Sequence, residues 1–226
     1  MKEIIINSLI VFGLGLLLPQ NAKGQGTIPY LSNLAQPSAG NLAVGSDSWL
    51  ATEFFTGNSV GGYILNSVQL GITDASGNPS GFAVMIYDLG GFGGPAPGNS
   101  LGTLNGSPNP ATGGTYTYTP AIPLMLSSST TYFIVLTAGS AVADGAYDWS
   151  YAGANSYNPG GGWSSRGGSF FISSDGSLWG PGSVVGPQYA ITATPIPEPS
   201  VFSLLGFGAL GFLWRSKKAK TVCSRY

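Results

Sequence analysis

Short apolar runs with a period of two, cut by glycine, proline, asparagine and aspartate, recur along residues 46–194 and leave few folds open. Ile64, Val68, Leu70 and Ile72 fall at even positions of the run 63–73, with one polar interruption at Asn66. Phe82, Val84 and Ile86 alternate with Ala83, Met85 and Tyr87. Both faces of that run are apolar, which places it centrally in a sheet. Successive side chains of a strand point to opposite faces, so this period means strand and not helix. Further strands are expected at 49–55, 100–104, 115–119, 131–138, 147–152, 169–173 and 189–194. The tract from Leu89 to Ser100, with Gly90, Gly91, Gly93 and Gly94, is expected to be a long surface loop. Helical periodicity is confined to two terminal apolar runs. The expected fold is all-β: one antiparallel, jelly-roll-like β-sandwich of eight or nine strands over 46–194. The polar segment 25–45 reads as a leader into it.

Charge and residue usage then remove whole classes of function. Between Gln25 and Pro197 there are seven acids, Asp47, Glu53, Asp74, Asp88, Asp144, Asp148 and Asp175, and one base, Arg166, a net of about −6. Nucleic acid is excluded as a partner, since phosphate binding needs clustered Lys and Arg. The chain has no histidine, which removes Ser-His-Asp and Cys-His catalysis and the usual zinc sites. Its one cysteine, Cys223, lies in the C-terminal tail, so the body forms no disulfide.

Both ends look like targeting segments. An apolar run from Ile4 to Leu18 precedes Ala22-Lys23-Gly24, whose small residues suit signal peptidase. We expect a signal peptide over 1–24, cut between Gly24 and Gln25. At the other end, Pro197-Glu198-Pro199 is followed by an uncharged apolar run, 201–214, and by Arg215, Lys217, Lys218 and Lys220. The prolines favour an extended stretch, the run suits a membrane helix, and the cations stop transfer. Fourteen helical residues rise about 21 Å, short of a hydrocarbon core of about 30 Å. So marginal a span fits a segment that is cut away better than a permanent anchor.

This ending, 195–226, closely resembles the PEP-CTERM sorting signal of bacteria that make an extracellular polymeric matrix. The resemblance implies an exosortase-like membrane enzyme that recognises Pro197, Glu198 and Pro199, removes the tail and passes the protein on. The destination it implies is the inner membrane transiently, then the surface or matrix of a Gram-negative-type cell. The tail beyond Lys220, ending at Tyr226, is longer than that pattern. The body is similar to the "choice-anchor R" domain in 63–68, 84–88, 101–104, 116–118, 129–136 and 162–164. That resemblance implies a β-rich module joined to a sorting signal, with no catalytic activity attached.

Chemistry within the body is sparse. Asp144 and Asp148 are the closest carboxylate pair in sequence, but Asp144-Gly145 also suits a turn. A structural calcium is a candidate at Asp74 or at Asp144 and Asp148, although neither stretch has EF-hand spacing. No other cofactor is expected. The aromatics Trp149, Tyr151, Tyr157, Trp163 and Trp179 crowd one Gly/Ser/Asn-rich stretch. Trp149, in a strand-like run, is expected in the core. Trp163, between Gly162 and Ser164, is expected to be exposed and, with Trp179 and Tyr157, to stack on sugar rings. The leading expectation is a non-enzymatic structural or adhesive protein of the matrix. A carbohydrate-binding module comes second and a glycoside-active enzyme third.

Overall fold

The structure, a computed structural model, describes residues 28–90, 95–153, 157–165 and 169–197. Among them there is no α-helix, only strands and one 3-10 turn, Val142–Asp144. The strands are β1 (Ile28–Ser32), β2 (Ser38–Val44), β3 (Trp49–Phe55), β4 (Tyr63–Gly77), β5 (Ala83–Leu89), β6 (Pro97–Asn105) and β7 (Gly114–Pro120). They continue as β8 (Leu124–Leu126), β9 (Thr131–Thr137), β10 (Gly145–Ala152), β11 (Asn158–Pro159), β12 (Ser169–Ser173), β13 (Gly180–Val184), β14 (Gly186–Pro187) and β15 (Tyr189–Pro195). The all-β antiparallel class is the one the alternation dictates. Among the described residues fifteen strands stand where eight or nine were expected: eleven follow one hydrogen-bonded path, β11-β1-β15-β4-β7-β6-β5-β9-β3-β12-β13, and β2, β8, β10 and β14 branch from it.

The hub is β4, whose 15 residues serve four partners. Along one edge β15 pairs with its first half and β10 with its second. Along the other edge β8 and then β7 pair with it. The path turns from this half of the sheet to the other at β6–β7, which share only Leu104↔Pro120 and Asn105↔Thr119. The sheet curls strongly there, and one core fills the space between its halves. Val68, Leu70, Tyr189 and Ile191 come from one half, and Leu50, Phe54, Val84, Ile86, Ile134 and Leu136 from the other. β9 lies between β3 and β5 and is buried on both faces.

Three expectations are corrected. In β4 the inward residues are Tyr63 and Leu65, then Val68, Leu70 and Ile72, and Ile64 faces outward at 37 % exposure. A bulge at Asn66 is the cause. The pairing with β15 jumps from Ser67↔Thr192 to Leu65↔Ala193, and one extra residue reverses the faces of a strand. Asn66 spends its side chain on Thr194, with Nδ2 donating to Oγ1 at 2.9 Å. The supposed leader, in its described part, is sheet: β1 pairs with β15 and β2 with β10. The stretch expected as a loop after β5 is in part strand: β6 already begins at Pro97, which pairs with Leu89, and Gly90 N–H donates to the Ala96 carbonyl at 2.8 Å.

Candidate functional site

The aromatic residues proposed for sugar stacking do not meet. Trp163 is 1 % exposed, which overturns its expected exposure. Its ring stacks on Tyr30 at 5.1 Å and on Phe54 at 5.8 Å, with the Tyr63 edge against it at 5.0 Å. The neighbouring glycines are what drive it inward. Gly161 and Gly162 adopt φ of +56° and +79°, a left-handed turn that side chains disfavour. A Cβ on Gly161 would lie 2.7 Å from the Tyr30 ring. The turn is closed by Gly160 N–H on the Tyr30 carbonyl (2.7 Å) and Trp163 N–H on Gly160 (3.0 Å). Ser164 then bridges to Phe55, so the indole between them has only the core to enter.

Trp149 is fully buried as expected, its Nε1 donating to the Gln188 carbonyl at 3.0 Å. Tyr157 is half-buried, with its hydroxyl donating to the Pro187 carbonyl at 3.0 Å and its ring 5.1 Å from that of Tyr189. Burial raises the Tyr157 pKa far above the ordinary phenol value, so the group is a neutral donor at any physiological pH. It props the rim of the core.

Trp179 belongs elsewhere. It packs on the other side of the β3–β9–β5 half, against a small cluster of Ala51, Phe133 and Val135. The partners on this outer face are Trp49, Met85, Tyr87 and Phe171, all half-buried. Register builds the face. Ala51 pairs with Val135 and with Phe171, and Val135 pairs with Met85. Two pairs further along, Phe133 pairs with Tyr87 and, on its other side, with Glu53. Partners across a ladder project to the same side, so one apolar row runs across four strands, and beside it Tyr87 and Phe133 form a shorter row that ends at the buried Glu53 of β3. Phe133 and Phe171 meet edge to face at 5.6 Å.

Loops hold the rim of this face. Trp49 Nε1 donates to the Ser46 carbonyl at 3.1 Å. Gly176, at φ +79°, lies so close over the Trp49 ring that a Cβ would sit 2.7 Å from it. The loop is pinned by Asp175, whose Oδ1 accepts from Ser177 N–H at 2.9 Å and from its hydroxyl at 2.7 Å. Those bonds hold the Asp175 carboxyl below the ordinary carboxylate range. Trp179 Nε1 is shielded from solvent and meets no acceptor among the described residues, a donor left at a cost of about 1–3 kcal/mol. Aromatics so arranged, flat and half-covered with a polar edge, suit binding a flat, hydroxylated or apolar partner.

Trp49, Met85, Tyr87 and Phe171 were missed in the sequence. The available signal was the second face of the doubly apolar strands: Met85-x-Tyr87 and Phe133-x-Val135 are apolar at outward positions as well as inward ones.

The acids are dispersed. Asp148 is 8 % exposed in β10, and burial raises its pKa. Asp144 is exposed, in the 3-10 turn. The exposed Asp74 accepts the Gly113 N–H at 2.7 Å through Oδ1. Among the described residues no three acidic, cysteine or histidine side chains are grouped as a metal site. The Asp144/Asp148 pair is split between surface and interior, an arrangement unlike two carboxylates flanking one bond.

Of the sorting residues, Pro197 is described and exposed. Glu198, Pro199, Arg215, Lys217, Lys218 and Lys220 lie outside the described residues, as do Gly24, Gln25 and the expected helix 201–214. The last strand leads straight to the first of them. Pro195 pairs with Tyr63, and Ile196 N–H donates to the Gly62 carbonyl at 3.0 Å.

Residues 195–218 match the PEP-CTERM protein-sorting motif. No curated protein matches the chain. The motif marks an exported protein, processed by an exosortase and destined for the cell surface or the extracellular space.

Proposed function

We propose that this chain is a secreted, non-enzymatic structural or adhesive component of the extracellular polymer layer. Residues 1–24 direct export and are removed before Gln25. The apolar run 201–214 and the cations from Arg215 to Lys220 hold the precursor in the membrane until an exosortase-like enzyme acts at Pro197-Glu198-Pro199. What remains is the curled sheet, a choice-anchor-like module that works through a surface. The observation that supports an adhesive role is the outer face of β3, β9, β5 and β12, where Trp49, Tyr87, Met85, Phe171 and Trp179 stand half-covered on a sheet already packed on its inner side. Half-exposed aromatics in such number fit a surface that meets a partner.

Intact-mass measurement of the protein from native cells tests the sorting half of this reading. A chain from Gln25 to about Glu198, with or without an added group, is expected; a chain still ending at Tyr226 overturns it. Retention on the cells' own matrix polymer tests the adhesive half. Trp179→Ala combined with Phe171→Ala is expected to reduce retention at least tenfold, and unchanged retention removes the role of this face.

A second reading is favoured by the same face: its partner is a polysaccharide. Flat aromatic rings stack on pyranose faces, and the Trp179 Nε1–H offers a donor to a hydroxyl once the rim opens. In this reading Trp179 keeps the role expected of it, while Trp163 and Tyr157 pass theirs to Trp49, Tyr87 and Phe171. Soluble oligosaccharide that quenches tryptophan fluorescence in the wild type but not in Trp179→Ala separates it from protein–protein adhesion.

A further inference from the structure

The two ends of the sheet, taken along the strand direction, differ in chemistry. One end carries the exposed acids. Asp47 accepts the Val142 N–H at 2.8 Å, Asp144 lies two residues on, and Gly145 pairs with Gly77, three residues past Asp74. Asp175 follows Ser173, which pairs with Trp49, two residues past Asp47. Four exposed carboxylates, at positions 47, 74, 144 and 175, therefore share one end.

The opposite end is the one from which the sorting segment leaves. Ile196 is bonded to Gly62, and a Cβ on Gly61 would touch the Ile196 carbonyl. Beside that exit stand Val60 at 75 % exposure, Ile64 at 37 % and Met125 at 67 %. Ile64 and Met125 are direct cross-strand partners and so project to one side. Ile64 is there because the Asn66 bulge turns it outward. No charged residue occurs in 56–72, 114–130 or 189–197, the segments that build this corner. Two acids lie on strands reaching this end: Glu53 in β3 is buried, and Asp88 in β5 is held by Asn99, which donates to it from both its backbone and its side-chain amide.

Chain length decides what meets this tip. Between Ile196 and the apolar run beginning at Val201 there are five Cα steps, at most about 18 Å when fully extended. The prolines at 197 and 199 keep that link short and stiff. We propose that, in the membrane-held precursor, the tip formed by Val60, Ile64 and Met125 seats on the bilayer interface, with the acidic end pointing away. The proposal rests on reading 201–214 as a membrane segment. Apolar side chains without nearby charge partition into the headgroup boundary, and anionic headgroups repel the acidic end, so both terms favour one orientation. Seated in this way, the domain holds Pro197-Glu198-Pro199 at the interface, where a membrane enzyme can reach it. Release of the tail then frees the tip from the surface.

The test uses the full chain with Cys223→Ser and one new cysteine, Met125→Cys or Val60→Cys, carrying a polarity-sensitive fluorophore. Leu178→Cys is the control, because Leu178 is 83 % exposed in the loop after Ser173, at the acidic end. The labelled chains are reconstituted into phosphatidylcholine–phosphatidylglycerol vesicles containing a headgroup-region nitroxide lipid. Quenching at positions 60 and 125 is expected to exceed that at 178 at least threefold, and to persist at one chain per vesicle. Equal quenching at all three positions, in chains that float with the vesicles, overturns the inference while leaving the membrane segment intact. Quenching that appears only at high protein density means that a second copy covers the tip, and it also overturns it. If the chain floats no better than one ended at Ser200, the membrane-segment reading itself fails and the inference falls with it.

Discussion

Trp163 and Trp179 lie sixteen residues apart in one Gly- and Ser-rich stretch, and they end on opposite sides of the sheet. Trp163 is wedged between Tyr30, Phe54 and Tyr63 in the central core. Trp179 half-covers a three-residue cluster on the outer face. Local composition is nearly the same for both. What differs is the strand each loop leads to. The loop carrying Trp163 is tied to β1 through Tyr30 and to β3 through Phe55, strands whose facing side chains line the interior. The loop carrying Trp179 joins β12 to β13 at the sheet's margin, beyond which only the outer face is open. An aromatic residue in a glycine-rich loop thus takes its role from its anchors.

Mutations can break this contrast, and the largest effect is expected in the core. Trp163→Ala should cost about 3–5 kcal/mol, because a large side chain is removed where its neighbours cannot collapse. A denaturant midpoint unchanged by it would mean that the indole is not the wedge between the sheet halves. Next comes Gly161→Ala, which forces a side chain into φ +56° and against the Tyr30 ring. A loss of about 1–3 kcal/mol is expected, with near-ultraviolet circular dichroism reporting displacement of Trp163. On the outer face Trp179→Ala should cost less, about 1–2 kcal/mol, since its indole is partly exposed and covers only a small cluster, yet it should weaken matrix retention. Stability lost without loss of retention would make Trp179 a packing residue like Trp163.

The smallest effect sharpens the comparison by pH. Burial raises the Asp148 pKa, so the folded state favours the protonated acid. The stability this contributes is present below the unfolded carboxylate pKa and is lost as pH rises through the folded value. Asp148→Asn keeps the shape without the charge. Its melting temperature should match the wild type in acid and exceed it modestly at neutral pH. Parallel curves at all pH values would show that Asp148 reaches enough water to ionise freely.

Much of the body was legible in the sequence. The runs at 49–55, 131–138, 147–152 and 169–173 are strands because alternating apolar and β-branched residues suit a pleated surface. Less legible was whatever depends on a partner strand. The polar segment Ser38–Val44 becomes β2 by pairing with β10, and nothing local in Ser-Ala-Gly-Asn-Leu-Ala-Val demands it. The phase reversal in β4 is likewise invisible, because a bulge at Asn66 exists only relative to β15. The outer aromatic face was hidden for the same reason: its residues come from β3, β5, β12 and the loop before β13, and only register brings them into rows.

The sequence by itself determined the class of fold, the acidic, histidine-free body and the sorting motif at 195–218. These depend on residue type and short-range period, which local steric and solvation preferences enforce wherever the chain goes. Tertiary structure alone decided which aromatics are core and which are surface, and that the segment leading to Pro197 leaves beside the exposed apolar residues Val60, Ile64 and Met125. Such facts depend on which strands become neighbours across the curl of the sheet. That choice is made by burial summed over the whole domain, and no single stretch of sequence contains it.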